Sequence, residues 1–502
     1  FVAFFKALKN KCQFYFTFNF KNYNRLYIMS NETEYTISEA SKVLQNANLI
    51  KKYHANLVYD YTEYPTKGHW KETFTDDDYK KAIIEWFPKN KNKPVLFYVH
   101  TPFCEKLCNF CLCSKEITSD YERVKDYLYK YLSKELDLLE EHLVKNKINF
   151  NFKEIYFGGG SPTYYREEEF KYLINRIKKL INFDNLGDFT VEIDPRRVTE
   201  DKLLFYHEMG VNRLSFGIQD FDPDVQEEIN RPQPPELLHK LMTDKVRKLF
   251  PTINFDLLIG LPKQNIQTIS NTIKEVVKLK PSQLQTMYVH YKPGTRKYMI
   301  KMVRNEPMLD FFDRKAVFQK ASELLIKSGY TRAGFESYSL PNDPLTKSMK
   351  EGRAVYNSLG TQKGDATNFI AIGSSAHGVL NDQFYFQNYY EQPLYRKALN
   401  EDRFPIYRGT RMTEDDVIRR EVIRHIRTYF NVEYDFFENK YSKKFKNYFE
   451  KELNNLKVFE NDDLVKISDK NIVLTSLGEH FSPQIANVFD IYNDQQFYKR
   501  II

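Results

Sequence analysis

Four of the five cysteines lie in one ten-residue segment, Cys104-Glu-Lys-Leu-Cys-Asn-Phe-Cys-Leu-Cys113. Their spacing is C-x3-C-x2-C, and Cys113 adds a further C-x-C step. Thiolates are the usual ligands of iron–sulfur clusters, and a closed [4Fe–4S] cluster normally takes four of them. Three ligands from this loop would leave one iron open to a small molecule that chelates through an amine and a carboxylate.

Two other uses of these thiols have less support. A structural zinc site needs two ligand pairs set apart in sequence, and no second pair is present. Disulfides between such close neighbours would form small, strained loops, and cysteine is scarce elsewhere, as in reducing compartments. Cys113 stays ambiguous and could be a spare thiol beside the site, whereas the isolated Cys12 is expected to be inert.

The cysteine loop follows the first of six apolar segments that alternate with helical patterns. Such alternation predicts a parallel sheet with right-handed crossovers. Six units are too few for a closed eight-stranded barrel, so we predict an α/β fold with an open, partial (β/α)6 barrel. The cysteines would then lie at the carboxyl end of a strand, where such folds place their chemistry. The predicted strands cover 95–103, 154–163, 189–195, 213–219, 253–262 and 284–291.

Polar residues and glycines mark the ends of several predicted strands. Gly159, Gly160 and Ser161 lie in the second half of the second predicted strand, and glycine allows a backbone to approach a ligand closely, although a simple turn would explain them too. Glu192 and Asp256 lie among apolar neighbours, and a buried carboxylate is costly unless it is paired or hydrogen-bonded. Their partner would be either a ligand or a neighbouring strand.

The stretch Tyr98-Val-His-Thr-Pro-Phe-Cys-Glu-Lys-Leu-Cys-Asn-Phe-Cys-Leu-Cys113 resembles the cluster loop of radical S-adenosylmethionine (SAM) enzymes. More narrowly, it is similar to the oxygen-independent coproporphyrinogen III oxidases. C-x3-C-x2-C is typical of the superfamily, and the extra C-x-C cysteine is typical of this branch. The resemblance runs from about residue 55 to 502 and includes a Tyr-Pro-Thr segment ahead of the cysteines.

This resemblance implies a [4Fe–4S] cluster on Cys104, Cys108 and Cys111, with SAM at its open iron. It also implies oxidative decarboxylation of two propionates of coproporphyrinogen III, which gives protoporphyrinogen IX in haem biosynthesis. Tyr98 and Cys113 are the implied catalytic residues. The implied cofactor-binding residues are Tyr98, Phe110, Gly159, Gly160, Ser161, Glu192, Gln219, Arg231 and Asp256.

The resemblance further implies a second SAM near five of these residues, and an electron donor that the sequence does not identify. The five are Gly160, Ser161, Gln219, Arg231 and Asp256.

Three residues depart from the pattern of the oxidases. Leu112 stands where the family usually has glycine, and His290 and His377 stand where it has small or apolar residues. The Ala-His-Gly piece around His377 is more similar to haem-delivery chaperones and methylases. The alternatives are therefore a related methylase or tetrapyrrole-modifying enzyme, or a haem chaperone without decarboxylase activity. The Tyr-Pro-Thr segment and Cys113 favour the oxidase.

Composition sets the remaining expectations. The 502 residues are 42% hydrophobic and 28% charged, with a formal charge of +8 but no long basic block, so nucleic-acid binding is not favoured. No apolar run approaches the about 20 residues of a membrane helix, and we expect a cytoplasmic monomer.

The expected organisation has five parts. They are an upstream or targeting segment (1–28), a helical lead-in (29–94), the radical SAM core (95–300), a barrel extension and substrate region (301–411), and a mostly helical, winged-helix-like domain (412–502).

Overall fold

A twelve-stranded mixed sheet is the centre of the computed structural model, which describes residues 49, 52, 53 and 60–493. The predictions for residues 1–28 and for Cys12 lie outside the described residues, as does part of the predicted helical lead-in. The strands are β1 Pro94–Thr101, β2 Asn151–Gly159, β3 Phe189–Ile193, β4 Arg213–Gln219, β5 Thr252–Ile259, β6 Gln283–Tyr288, β7 Thr331–Arg332, β8 Ser337–Ser339, β9 Asn368–Ile372, β10 His377–Leu380, β11 Phe384–Asn388 and β12 Ile406–Arg411.

The six predicted strands are adjacent and parallel, in the order β1 to β6. The full order is β12-β11-β10-β9-β1-β2-β3-β4-β5-β6-β8-β7, and no pairing among the described strands joins its two ends. The predicted open, partial (β/α)6 barrel is therefore confirmed. Seven of the eight residues of β1 are buried, as expected of a parallel strand covered on both faces.

Residues 301–411, predicted as a barrel extension, continue the same sheet at both of its edges. The sequence pattern did not predict which strands pair there. β9 pairs with β1 in parallel, and β10, β11 and β12 follow it as antiparallel strands. At the other edge β8 pairs antiparallel with β6. These strands satisfy the backbone groups that the outer strands of a six-stranded sheet would leave unpaired.

Helices fill the connections between strands. The α-helices are α1 Asp76–Asn90, α2 Tyr121–Asp126, α3 Ser133–Lys145, α4 Glu167–Ile177, α5 Glu200–Glu208, α6 Pro223–Glu228, α7 Pro235–Leu241, α8 Asp244–Leu249, α9 Ile266–Leu279, α10 Phe311–Lys327, α11 Pro344–Lys350, α12 Gln392–Asn400, α13 Glu414–Thr428, α14 Tyr434–Tyr441, α15 Phe445–Tyr448, α16 Glu450–Asn461 and α17 Ser482–Ala486. Short 3-10 helices span Lys67–His69, Pro162–Tyr164, Phe183–Asn185, Pro195–Arg197, Lys297–Val303, Gly478–Phe481 and Asn487–Phe489. Every helix in the described part of the chain is too short or too polar to cross a bilayer.

A π-helical turn, Tyr127–Leu132, connects α2 to α3. Tyr127 lies in this turn, and its hydroxyl accepts a hydrogen bond from the Ser374 amide at 2.9 Å. Glu135 of α3 accepts one from the Gly373 amide at 2.8 Å. The extra residue per turn serves contacts with a loop almost 250 residues away, so local sequence periodicity gives no sign of it.

The chain end forms the predicted winged-helix-like unit. α13, α14 and α16 alternate with a three-stranded antiparallel sheet of Asn431–Glu433, Asn471–Leu474 and Val465–Ile467. The last two strands form a β-hairpin. Two further ribbons pair Phe103–Cys104 with Glu116–Ile117, and Val355–Asn357 with Gly360–Gln362.

Residues 60–75 lead into α1 mostly without helix. The Tyr61 hydroxyl donates to Asp490 Oδ2 at 3.0 Å, and the Trp70 indole donates to the Pro65 carbonyl at 2.9 Å. The Tyr61 contact therefore holds this segment against the region around Asp490, and the Trp70 contact stabilises the segment itself. Neither contact requires a helix.

A buried lysine between α10 and the chain end makes stability depend on pH. Lys315 donates to the His480 carbonyl at 2.7 Å, and burial, with repulsion from Arg314 and Arg427, lowers its pKa to about 7. The unfolded chain therefore binds more protons than the folded chain between pH 7 and 10.5. Stability should rise over that interval as pH rises.

We expect the free energy of unfolding to increase by about 2 kcal/mol from pH 7 to pH 9 because of this lysine. The Lys315→Met variant should lack that part of the increase. Urea unfolding of both proteins at the two pH values measures the difference. Parallel pH dependence in the two proteins would contradict the assignment.

Candidate active site

One cavity of about 760 Å³ opens at the carboxyl ends of the parallel strands. Its wall includes the cysteine loop, the glycines after β2, and side chains from the ends of β3 to β6. Further wall comes from Asp60, Glu336 and the ribbon turn at Ser358. A volume of this size is typical of small-molecule sites.

The cysteine loop is fixed to the barrel at its middle. The Asn109 amide group donates to the Glu228 carbonyl, and its backbone N–H donates to the Ile229 carbonyl, both at 2.9 Å. The Asn230 side chain donates to the Leu107 carbonyl at 2.7 Å. Because these contacts hold backbone atoms, they position the loop without using the thiols.

All four cysteines of the loop are free thiols that line the cavity. Burial raises the pKa of the Cys104 thiol to about 12. A hydrogen bond from the Cys113 thiol, with Lys115 nearby, lowers the pKa of Cys111 to about 5. Cys108 is buried, and Arg231 Nη1 lies 3.4 Å from its Sγ.

This donor set fits an iron–sulfur cluster better than a single ion. In the described part of the chain, no group of three or more His, Cys, Asp or Glu side chains converges closely enough to hold one metal ion. A [4Fe–4S] cluster places each thiolate on a different iron, so its ligands need not converge on one point. The guanidinium at Cys108 would offset the negative charge of thiolates and sulfides.

The glycines after β2 leave no room for a side chain. Gly159 has φ +115°, and a Cβ there would lie 2.8 Å from the His100 ring. A Cβ on Gly160 would lie 2.8 Å from the Phe103 carbonyl oxygen. Ser161 also lines the cavity, and its hydroxyl shares a 2.7 Å hydrogen bond with Thr163.

Glu192 projects from β3 into the cavity. Tyr156 donates to its Oε1 and the Gly159 amide donates to its Oε2, both at 3.1 Å. Burial, with repulsion from Asp256, raises the pKa of Glu192 to about 8. The two protein donors thus orient the carboxylate, and each oxygen retains a lone pair for a ligand.

Asp256 lies on β5, two residues beyond the level of Glu192 in the strand register. Ser215 donates to its Oδ2 at 3.1 Å, and Asn254 donates to its Oδ1 at 2.8 Å. Burial raises the pKa of Asp256 as well. The neighbouring-strand partner that the sequence left open is therefore present, and the side chain still lines the cavity.

Gln219 is the last residue of β4, and Arg231 lies on the connection that follows it. Gln219 has φ +71°, and its buried Oε1 has no hydrogen-bond partner among the described residues. Arg231 donates to the Gly217 carbonyl at 2.7 Å and lies 3.6 Å from Asp194 Oδ1. Both side chains line the cavity.

Tyr98 is the one predicted site residue that does not line the cavity. Its hydroxyl is 3.2 Å from His100 Nδ1, and its ring stacks on Tyr156, which orients Glu192. Phe110, Leu112 and Cys113 do line the cavity. Tyr98 therefore lies behind the wall, where it supports the residues in front.

The two histidines that depart from the family pattern are both paired. His290 lines the cavity and lies 2.7 Å from Asp60, which raises the pKa of the imidazole. His377 lies behind the wall, with its Nε2 3.1 Å from Glu63 and 3.2 Å from the Ser358 hydroxyl.

Several cavity residues escaped the sequence analysis. Asp194 holds Arg196 at 2.7 Å, and Arg196 reaches toward Cys108 Sγ. Its Asp-Pro-Arg-Arg context could have drawn attention to it. Glu336 lies among apolar residues, which is the signal that identified Glu192 and Asp256. Asp60 carried no signal, because only the fold brings it beside His290.

Known proteins resemble this chain in both sequence and structure. The Radical SAM superfamily matches residues 98–276. An oxygen-independent coproporphyrinogen III oxidase from Helicobacter pylori is 32% identical, covering 86% of this chain and 93% of its own. Its counterpart from Escherichia coli is 30% identical, covering 87% of this chain and 93% of its own. The solved structure of coproporphyrinogen III oxidase from Escherichia coli, described as a radical SAM enzyme, superposes with a TM-score of 0.79 and covers 86% of this chain and 97% of that one.

Proposed function

We propose a reaction for this chain from one premise: it belongs to the oxygen-independent coproporphyrinogen III oxidases, which are radical SAM enzymes. The reaction is the oxidative decarboxylation of two propionates of coproporphyrinogen III to vinyl groups, which gives protoporphyrinogen IX. The observation that carries it is the meeting of three cysteines and a buried, oriented carboxylate, Glu192, in one cavity of this family's fold.

The residues divide into cluster-holding and SAM-holding sets. Cys104, Cys108 and Cys111 hold the [4Fe–4S] cluster, and Glu192 accepts the ribose hydroxyls of SAM. When bound, the cluster would supply an electron to SAM, and SAM would supply the carbon-centred radical that removes a hydrogen atom from a propionate. Gly159 and Gly160 line the cavity and carry no side chain, so a bound cofactor could approach the protein backbone closely there.

Charged residues at the cysteine loop have a separate role. Arg231 and Arg196 both approach Cys108, and their charge offsets that of the cluster. Asp194 holds both guanidinium groups in place, because it lies within 4 Å of each. The apolar wall, which includes Phe110 and Leu112, excludes water from the reacting groups.

A second SAM belongs to the same proposal. Gly160, Ser161, Gln219 and Asp256 line the cavity beside Arg231, and the unpartnered Oε1 of Gln219 is an acceptor that a ligand would satisfy. We also propose that the chain works as a monomer and receives electrons from a separate one-electron donor.

A haem-delivery role has less support from the geometry. His377, which suggested it, lies behind the cavity wall and already contacts Glu63 and Ser358. An imidazole held in this way is not presented to a haem iron. The methylase alternative rests on sequence pieces alone.

An anaerobic assay tests the proposal directly. Protein reconstituted with iron and sulfide is supplied with SAM, a reductant and coproporphyrinogen III, and products are analysed by mass. We expect two successive losses of carbon dioxide together with 5′-deoxyadenosine. Formation of 5′-deoxyadenosine with unchanged porphyrinogen would contradict the assignment of coproporphyrinogen III as the substrate. Stoichiometric haem binding without decarboxylation would favour the role of a haem-delivery chaperone.

A further inference from the structure

We propose that Glu336 accepts hydrogen bonds from the pyrrole N–H groups of the tetrapyrrole and so centres the macrocycle in the cavity. The proposal rests on the proposed function, since it concerns how that substrate is held. Glu336 lies on the β6 side of the cavity, across the sheet from the strand that carries the cysteine loop.

The backbone of Glu336 is fixed at the carboxyl end of β6. Its carbonyl accepts from the Thr286 amide at 2.8 Å and from the Thr286 hydroxyl at 3.1 Å. The Tyr356 hydroxyl donates to Glu336 Oε2 at 3.2 Å, so one carboxylate oxygen is held from the ribbon side. The side chain is 7% exposed and lines the cavity.

The second carboxylate oxygen is left over. No residue in the described part of the chain donates a hydrogen bond to Glu336 Oε1, whereas Oε2 accepts one from Tyr356. Arg427 comes nearest in effect, but it donates to Ser482 and to the Tyr356 hydroxyl instead. Burial raises the pKa of Glu336 to about 7.

The other cavity carboxylates differ in this respect. Both oxygens of Glu192 and both of Asp256 already accept protein hydrogen bonds, and Asp60 is paired with His290 at 2.7 Å. A buried carboxylate with an unused acceptor is costly to fold unless a ligand completes it. Among these cavity carboxylates, Glu336 would therefore be stabilised most by a hydrogen bond from a bound ligand.

A porphyrinogen offers the donors that Glu336 lacks. Its reduced ring is flexible and carries four pyrrole N–H groups at the centre, with four carboxylates at the rim. A buried carboxylate attracts the centre and repels the rim, so it fixes which part of the substrate faces β6. Leu258, Met287, Val289 and Leu359 line the cavity and supply apolar surface for the pyrrole rings.

Two ligands separate this contact from general effects on binding. Coproporphyrinogen III has the N–H donors, whereas nickel(II) coproporphyrin III keeps the four carboxylates and has no N–H, because the metal occupies the nitrogens. The cluster-containing protein is titrated anaerobically with each ligand, and the quenching of its fluorescence gives both affinities. Glu336→Gln keeps shape and removes charge, and Glu336→Met removes both acceptors.

We expect porphyrinogen binding to weaken about tenfold in Glu336→Gln and about a hundredfold in Glu336→Met. Affinity for the nickel complex should change by less than about twofold, which also shows that the cavity has kept its shape. Asp60→Asn serves as the matched control and should not cause the selective loss.

Four results would overturn the proposal. Equal weakening of both ligands would show a structural role for Glu336, and selective loss in Asp60→Asn instead would move the acceptor to Asp60. If the unaltered protein converts porphyrinogen and Glu336→Met binds it equally well, the proposed function stands while the pyrrole contact is wrong. If the unaltered protein binds neither ligand, the substrate class fails and the contact fails with it.

Discussion

Replacing Cys104, Cys108 or Cys111 by serine is expected to abolish cluster assembly and to lower activity by at least about a thousandfold, because residues that act as one unit fail together. Thiolates are the usual ligands of iron–sulfur clusters, and we expect that a serine hydroxyl does not replace them here. The three thiols line one cavity on a loop whose backbone is anchored through Asn109 and Asn230. Loss of a thiol should therefore leave the loop in place and remove only the ligand.

Cys113→Ser is the matched control for this series. Cys113 is exposed, and its thiol forms a hydrogen bond with Cys111. This position is typical of a residue beside the cluster site more than of a fourth iron ligand. Iron and sulfide content and the visible absorption of anaerobically reconstituted proteins measure the outcome. Retention of the cluster in Cys113→Ser, and its loss in the other three, is the expected pattern. Cluster loss in Cys113→Ser with retention in Cys104→Ser would reverse the ligand assignment.

The sequence predicted those features of the fold that depend on local pattern. Each of the six parallel strands is a short apolar run, and such a run is readable because burial on both faces demands apolar residues throughout. The cysteine spacing is equally local, since one loop supplies all the ligands. Glu192 and Asp256 could be predicted as site residues because a carboxylate in an apolar strand is costly to bury unless it has a partner.

The features that sequence reasoning missed depend on contacts between distant segments. β9 is an apolar run like the others, but nothing in it shows that it pairs with β1 outside the barrel order. The π-helical turn at Tyr127 exists to reach Ser374. Tyr98 illustrates the same limit within the site, because alternation along β1 does not reveal that His100 and Tyr156 hold it behind the cavity wall.

The Glu192→Gln variant is expected to bind SAM about a hundredfold more weakly while it keeps its cluster. Each oxygen of Glu192 already accepts one protein hydrogen bond, from Tyr156 and from the Gly159 amide. The Gly159 amide can only donate, so a glutamine must turn its oxygen toward Gly159 and its NH2 group toward Tyr156. One acceptor of the ribose diol is thereby replaced by a donor, and the charge that the carboxylate carries above its pKa of about 8 is lost.

Tyr156→Phe is the control that separates orientation from recognition. It removes one supporting donor but leaves both carboxylate oxygens free to accept, so SAM affinity should fall by less than about tenfold. Equilibrium binding of SAM to cluster-loaded protein, with iron content measured in parallel, distinguishes the two variants. If Tyr156→Phe weakened SAM as much as Glu192→Gln, the carboxylate would act mainly by holding β2 and β3 together. Both variants lose the hydrogen bond that the Tyr156 hydroxyl donates to Glu192, but only Glu192→Gln loses the carboxylate. A larger effect at Glu192 therefore means that the acid itself contacts the ligand.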